Sequence, residues 1–243
     1  MPTGIIINSL AVVIGGLIGA RIRNRMGSAF KEQLNMILGL CSMAMGISSI
    51  VLMENMPAVV FSVIIGTAFG LLIHLGVRIN AGAEQMQRQV SRFAPNNSCA
   101  STDPALTSML VTVIVLFCAS GTGIYGSLIS GMNGDHSILI AKSILDLFTA
   151  MIFACSLGAV VSAVALPQLI IFMFLFFVAR LIYPLTTPGM INDFKACGGT
   201  LMVATGFRIL RTKEFPTADM IPSMILVMPL SWMWTNVIMP MLA

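Results

Sequence analysis

Residues 138–183 read ILIAKSILDLFTAMIFACSLGAVVSAVALPQLIIFMFLFFVARLIY. Within them only Lys142, Asp146 and Arg180 carry a formal charge. A helix that crosses hydrocarbon needs about 20 mostly apolar residues. This run is far too long for one crossing, so it predicts two, divided by a turn at Leu166-Pro167, where proline restricts the residue before it. Apolar runs on either side extend the pattern. Spans are expected over residues 4–20, 33–53, 57–77, 106–131, 138–164, 167–184, 191–210 and 218–241. The predicted fold class is all-α: a polytopic membrane helix bundle of about eight transmembrane helices. The first three spans fall in residues 1–79, a linker in 80–105 and the remaining five in 106–243, all within one membrane domain.

Composition points the same way. Hydrophobic residues make up 57% of the 243 and charged residues 9%, against about 25% charged in a soluble domain. Too little polar surface remains to cover a water-soluble globule. The first apolar run begins at Gly4 with no basic residue before it and reads as a span, not a cleaved signal. The five cysteines, Cys41, Cys99, Cys118, Cys155 and Cys197, show no metal-ligand or redox spacing. Phosphate-binding loops, zinc-protease helices and nucleophile elbows are absent from the sequence, so neither an enzyme nor a cofactor or metal is expected.

The basic residues set an orientation. Cytoplasmic loops are enriched in Lys and Arg. With the N-terminus outside, Arg21, Arg23, Arg25 and Lys31 fall inside. So do Arg78, Arg88 and Arg92, and so do Arg208, Arg211 and Lys213. Only Lys142, Arg180 and Lys195 of the thirteen basic residues remain. An even number of spans then puts the C-terminus outside too. The net charge of +4 is spent on headgroups and not on nucleic acid. The linker opens on a polar helical stretch, AGAEQMQRQVSRF (81–93), and turns Asn/Ser-rich at PNNSCASTD (95–103).

The chemistry concentrates in NGDHSILIAKSILD (133–146). Lys142 and Asp146 are four apart and share a helical face. Asp146 falls near mid-membrane, where an ionised group is costly unless paired and is by default a functional candidate. Ser143 and, from span one, Asn8 are expected to line the same site. Asp135 or Ser137 is the expected cap of this helix, with its free N–H groups facing outward. The predicted ion or solute site is therefore Asp146, Lys142, Ser143, Asn8, Asp135 and Ser137.

Spans two, four and seven echo one another in LCSMAMGISS, FCASGTGIYGS and GGTLMVATGFRI. Aligning Gly46, Gly123 and Gly206 brings Gly39 onto Gly199. Small residues let helix backbones approach closely in lipid. In the predicted topology span two runs outward and span seven inward, so spans one to three and six to eight form candidate inverted three-helix repeats, a recurrent transporter architecture. The same glycines suit contact between chains, which leaves a homo-oligomer as one expected assembly.

Several of these stretches resemble the YqgA/YdfK-like family of bacterial multi-pass inner-membrane proteins, nearest its YqgA-type members. The resemblance runs through VIGGLIGA (13–20), GLCSMAMGI (39–47), VLFCASGTGIYGS (115–127), GDHSILIAKSILD (134–146), FTAMIFACSLG (148–158), LTTPGM (185–190) and CGGTLMVATGFRI (197–209). It implies a multi-helix inner-membrane protein without an assigned substrate. Relatives carry an acidic residue after the glycine matching Gly70, where this chain has Leu71. The expected function is a secondary transporter or channel-like permease for an ion or small solute, in contact with membrane lipids. The alternative is a membrane scaffold or regulatory partner working through the linker.

Overall fold

The computed structural model describes residues 2–22, 27–93, 104–210 and 212–242. Arg23, Arg25, Arg211, Cys99 and linker residues 94–103 lie outside the described residues. The chain runs α1 (Thr3–Arg21), α2 (Ser28–Ile50), α3 (Met56–Leu72), α4 (Leu75–Phe93), α5 (Pro104–Cys118), α6 (Gly121–Asn133) and α7 (Ser137–Leu157). It continues through α8 (Val160–Ala163), α9 (Ala165–Ile182), α10 (Pro188–Ile209), α11 (Ile221–Met233), a π-helical turn (Trp234–Ile238) and α12 (Met239–Leu242). No strand occurs among the described residues.

The helices are inside-out relative to a soluble protein. Ile6, Leu10, Ile14 and Leu17 of α1 face outward, while Gly4, Asn8, Ser9, Gly15, Gly16 and Gly19 are buried. Water would reverse that arrangement; lipid favours it, since tails take the large apolar side chains and small residues pack inside. Among the described residues, six helical stretches are long and apolar enough to cross a membrane, and seven with α3 and α4 counted as one bent span. The expected span seven, α10, has 22 residues but is more polar, carrying Asp193, Lys195 and Arg208. It packs along α2 and is buried over much of its length. The chain is an all-α, multi-pass membrane protein.

Three boundaries differ from expectation. The division between spans five and six falls at Gly158, not Pro167. Gly158 takes φ +80°, a conformation a side chain resists. Pro167 sits inside the first turn of α9, where a missing N–H costs no helical bond. Span four is broken: α5 stops at Cys118 and α6 restarts at Gly121, with the Ser120 hydroxyl accepting the Gly123 N–H at 3.2 Å. Span three ends at Leu72, and α4 leaves it at 60°. His74 makes that corner with φ +50°. The polar half of the linker is thus helical, and α4 presses Ala83 and Val90 into a core with Leu110, Val113 and Val160.

Close backbone crossings organise the bundle. Gly39 meets Gly206, and Gly46 meets Gly199. Numbers rise on α2 as they fall on α10, so the helices are antiparallel. Gly66 meets Ser223 and Gly70 meets Asp219, so α3 and α11 are antiparallel as well. Along α1, Asn8 meets Gln168 of α9 and Val13 meets Ser162 of α8, again in opposite directions. Contacts at Asn8–Gln168 and at Ser42–Met202 both span 160 residues. That shift lays α1 on α9, α2 on α10 and α3 on α11. Each helix of the first three thus crosses an antiparallel helix of the last three, the arrangement that inverted three-helix blocks would require. Gly123 stands apart from these crossings: it faces the Phe172 ring and packs α6 on α9. By contrast α1 and α7 run parallel, with Gly15 at the Leu147 carbonyl and Gly19 at the Met151 carbonyl.

A methyl group on Gly46 would lie 2.6 Å from the Gly199 carbonyl oxygen, while one on Gly82 meets nothing within 4 Å. Gly46→Ala is expected to destabilise by about 1–3 kcal/mol through overpacking. Gly82→Ala, on α4, should be neutral or stabilise by up to about 1 kcal/mol through helix propensity. Thermal melting in detergent distinguishes the two; equal melting temperatures would remove the close crossing from the account.

A buried ion pair as candidate functional site

Asp146 lies at the middle of α7, and Lys142 is one turn before it. They are 6% and 3% exposed. Lys142 Nζ reaches Asp146 Oδ1 at 2.7 Å and Oδ2 at 2.6 Å. The helix alone provides this pairing, because i and i+4 stack on one face. Two other helices complete it. Asn8 Nδ2 on α1 donates to Asp146 Oδ2 at 2.9 Å. Gln168 Nε2 on α9 donates to Asn8 Oδ1 at 2.7 Å and reaches Asp146 Oδ2 at 3.3 Å. Asn8 and Gln168 meet where α1 crosses α9, so the carboxylate is held at that crossing. Lys142 also lies 5.9 Å from the centre of the Phe117 ring, within cation–π range.

Lys142 and Asp146 also border a small cavity of about 30 Å³. Lys142, Asp146 and Thr149 line it from α7, Ser42 from α2, Thr205 from α10, Ser120 from the break between α5 and α6, and Thr122 from the first turn of α6. It is large enough for a water molecule and has the polar partners one requires. Irregular backbone is tolerated at membrane depth where it lines such a cavity. Ser42 lies at the α2–α10 crossing, donating to the Met202 carbonyl at 3.2 Å. The ion pair therefore stands between the α1–α9 and α2–α10 crossings.

Of the residues expected at the site, Asn8, Lys142 and Asp146 come together. Ser143 is buried, but its hydroxyl donates to the Leu139 carbonyl of its own helix at 2.6 Å and makes no hydrogen bond to the pair. Asp135 and Ser137 sit at the entrance of α7, about 14 Å from Asp146 at 1.5 Å per residue. There the Asp135 carboxylate accepts the Ser137 N–H at 3.0 Å and the Ser137 hydroxyl. It serves the start of the helix from one position before His136, the residue that flanks α7. Lys195 of α10 approaches Asp135 at 4.0 Å. Burial alone would raise the Asp135 pKa, but the Ser137 bonds, Lys195 and His136 outweigh it and hold the carboxyl below its usual range.

Gln168 escaped the sequence reading. Its signal was there: an amide in an apolar run, directly after Pro167. Asp193 also reads differently. It lies in the second turn of α10 and is fully buried. It accepts the backbone N–H groups of Glu54 (2.9 Å) and Asn55 (2.8 Å), the Asn55 side chain (2.9 Å) and the Ser231 hydroxyl (2.6 Å). It ties the α2–α3 turn to α10 and α11. Near the other end Asp219 accepts the Gly76 N–H at 2.7 Å, just past the His74 corner. Among the described residues no three of His, Cys, Asp and Glu gather as a metal site.

Removing one partner of a buried pair strands the other, at a cost of about 3–5 kcal/mol. Lys142→Met should therefore lower stability by that order. Lys142→Met/Asp146→Asn should recover most of it, because the new amide still offers Asn8 a carbonyl. Denaturation of the single and double variants measures the difference; no recovery would mean the pair is not isolated from other charges. At the α7 entrance, the depressed pKa of Asp135 gives a stabilising contribution above the unfolded carboxylate pKa. It is lost as pH falls through the lower folded value. Asp135→Asn is expected to flatten the acid limb of the melting-temperature profile and leave its alkaline limb unchanged.

Comparison with known proteins follows the same outline. Over 237 residues the chain is 45% identical to the uncharacterized protein YqgA of Escherichia coli K12, covering 97% of this chain and 98% of that one. It is 26% identical over 230 residues to the uncharacterized membrane protein YdfK of Bacillus subtilis 168, covering 92% and 93%. No solved structure matches it. A family model described as a protein of unknown function, DUF554, matches residues 3–232, and the chain belongs to that family.

Proposed function

We propose that the chain is a small secondary transporter or channel-like permease for an ion or small solute, working in a bacterial inner membrane with both termini outside. The carrying observation is the Lys142–Asp146 pair, held by Asn8 and Gln168 where the inverted blocks meet and open to a hydroxyl-lined cavity. A pair needed only for packing has no use for that cavity. Replacing it with apolar groups is often neutral or stabilising, so its presence favours a role in exchange. Inverted repeats with a site at their interface support alternating access, in which the blocks rock about a fixed centre. The break between α5 and α6 adds a further point of movement beside the pair. Basic residues at Arg21, Arg78 and Arg208 support the orientation by the positive-inside bias. This reading gives the chain no enzymatic step; its partners are lipids and the transported species.

A ligand-dependent melting screen tests the proposal. Ions and small metabolites are presented to the purified protein at several pH values, beside Lys142→Met/Asp146→Asn as the folded control. A ligand at a hundredfold excess over Kd stabilises by about 2.7 kcal/mol. The expected result is a ligand that raises the wild-type melting temperature, leaves the double variant unchanged and is carried into vesicles by wild type alone. Undiminished flux through the double variant would sink the assignment.

A further inference from the structure

An apolar hollow of about 310 Å³ lies beneath α4, away from the ion pair. Ile79 and Met86 wall it from α4, Ile114 and Cys118 from α5, and Ile171 and Leu175 from α9. Among the described residues no charged or hydrogen-bonding polar side chain lines it. An apolar cavity of about half this volume stays dry and takes up benzene. Left empty, such a void costs stability in proportion to its volume. Hydrocarbon is the guest that suits it. Gly82 keeps the hollow wide. It stands in the middle of α4, where glycine weakens a helix, and it lines the hollow. The glycines at the helix crossings each meet a neighbour, but a methyl group on Gly82 meets nothing within 4 Å. Close packing therefore does not account for this glycine. Residues 94–103, which follow α4, read APNNSCASTD and bring no large apolar side chain to fill the space.

The shape of the space says what kind of hydrocarbon. Met86 also lines a second hollow of about 100 Å³, walled by Gln89 and Val90 of α4 and by Leu166 and Pro167 of α9. Together the two follow α9 from Leu166 to Leu175, about 14 Å at 1.5 Å per residue. That is close to one leaflet of a hydrocarbon core about 30 Å thick. Within the apolar stretch Val160–Leu185 they reach from near its start to about its middle. The end nearer the start is polar. Gln89 lines it, and the neighbouring Arg88 is exposed and makes no ion pair among the described residues. Glu84, one turn before Arg88, is also exposed.

We propose that α4 seats one acyl chain of an anionic phospholipid, the chain running from Leu166 to Leu175 and the phosphate standing at Arg88. A guanidinium offers paired N–H donors that match phosphate oxygens. A basic residue at the membrane surface also favours anionic over zwitterionic headgroups. The chain passes Gln89 and Met86, enters the larger hollow below Gly82 and ends against Cys118 and Ala119, where α5 breaks before α6. Lipid held there joins α4 to α5 and α9 across a gap that side chains leave open. The site is independent of any solute the chain carries.

Native mass spectrometry of the full chain, released from vesicles of phosphatidylethanolamine and phosphatidylglycerol, tests this. Wild type is expected to retain one phosphatidylglycerol per chain. Gly82→Phe should fill the hollow and cut that retention about tenfold, without lowering the melting temperature. Arg88→Gln should still hold a lipid but no longer distinguish the two headgroups. Equal retention by Gly82→Phe, an unchanged headgroup preference in Arg88→Gln, or a wild type that retains no lipid overturns the proposal. So does a dimer that Gly82→Phe separates, which would make a second copy the occupant. Wild type alone decides the matter if a variant fails to fold. Phosphatidylglycerol with a photoreactive chain end should label Cys118, Ile171 or Leu175 well above Ile6, Ile64 and Phe174 on the outer faces of the bundle. Even labelling of both sets would mean ordinary surrounding lipid and would sink the site.

Discussion

An ionised carboxylate at membrane depth must find its donors inside the protein, because lipid offers none. Asp146 finds one on its own helix and two on others. Lys142 comes with the α-helical repeat, Asn8 with α1 and Gln168 with α9. That requirement fixes how α1, α7 and α9 sit together. Withdraw any one of the three and a buried polar group is stranded. The donors also decide the geometry: both amides approach Oδ2, and the pair borders the hydroxyl-lined cavity.

Close approach of backbones is the second constraint, and it serves the first. Lipid-exposed helices gain little from burying apolar area against one another, so they associate where small residues let them touch. Gly15 and Gly19 bring α1 onto α7, at the depth that places Asn8 beside Asp146. Gly39, Gly46, Gly199 and Gly206 bring α2 onto α10, beside Ser42 and the cavity. The α1–α9 and α2–α10 crossings each include a hydrogen bond between residues 160 apart. The contacts at the centre of the molecule are therefore those where the first three helices cross the last three.

The ends of the helices are held by a different device. Asp193 gathers the free N–H groups of the α2–α3 turn, and Asp219 takes that of Gly76 beyond the His74 corner. Each satisfies backbone groups left over where a helix stops. The charge centre at Lys142–Asp146 is thus separate in space and chemistry from the carboxylates that fasten the turns. Asp135 belongs with the latter, although its sequence neighbourhood made it look like part of the site.

Much of this was legible in the order of residues. The length and apolarity of each run determined a membrane bundle, because hydrocarbon thickness sets span length. Four-residue spacing determined the Lys142–Asp146 pair, because the helix repeat is local. The matched glycines of spans two and seven marked where α2 and α10 touch. Tertiary structure alone decided the rest. Gln168 joins the site only because α9 crosses α1 at that residue, and Ser143 stays out because its own helix offers a nearer carbonyl. The turn fell at Gly158 and not at Pro167, since a proline within a helix's first turn breaks no bond while a positive φ suits glycine. Spacing along one helix is written in sequence; which atoms of two helices meet depends on where their backbones touch.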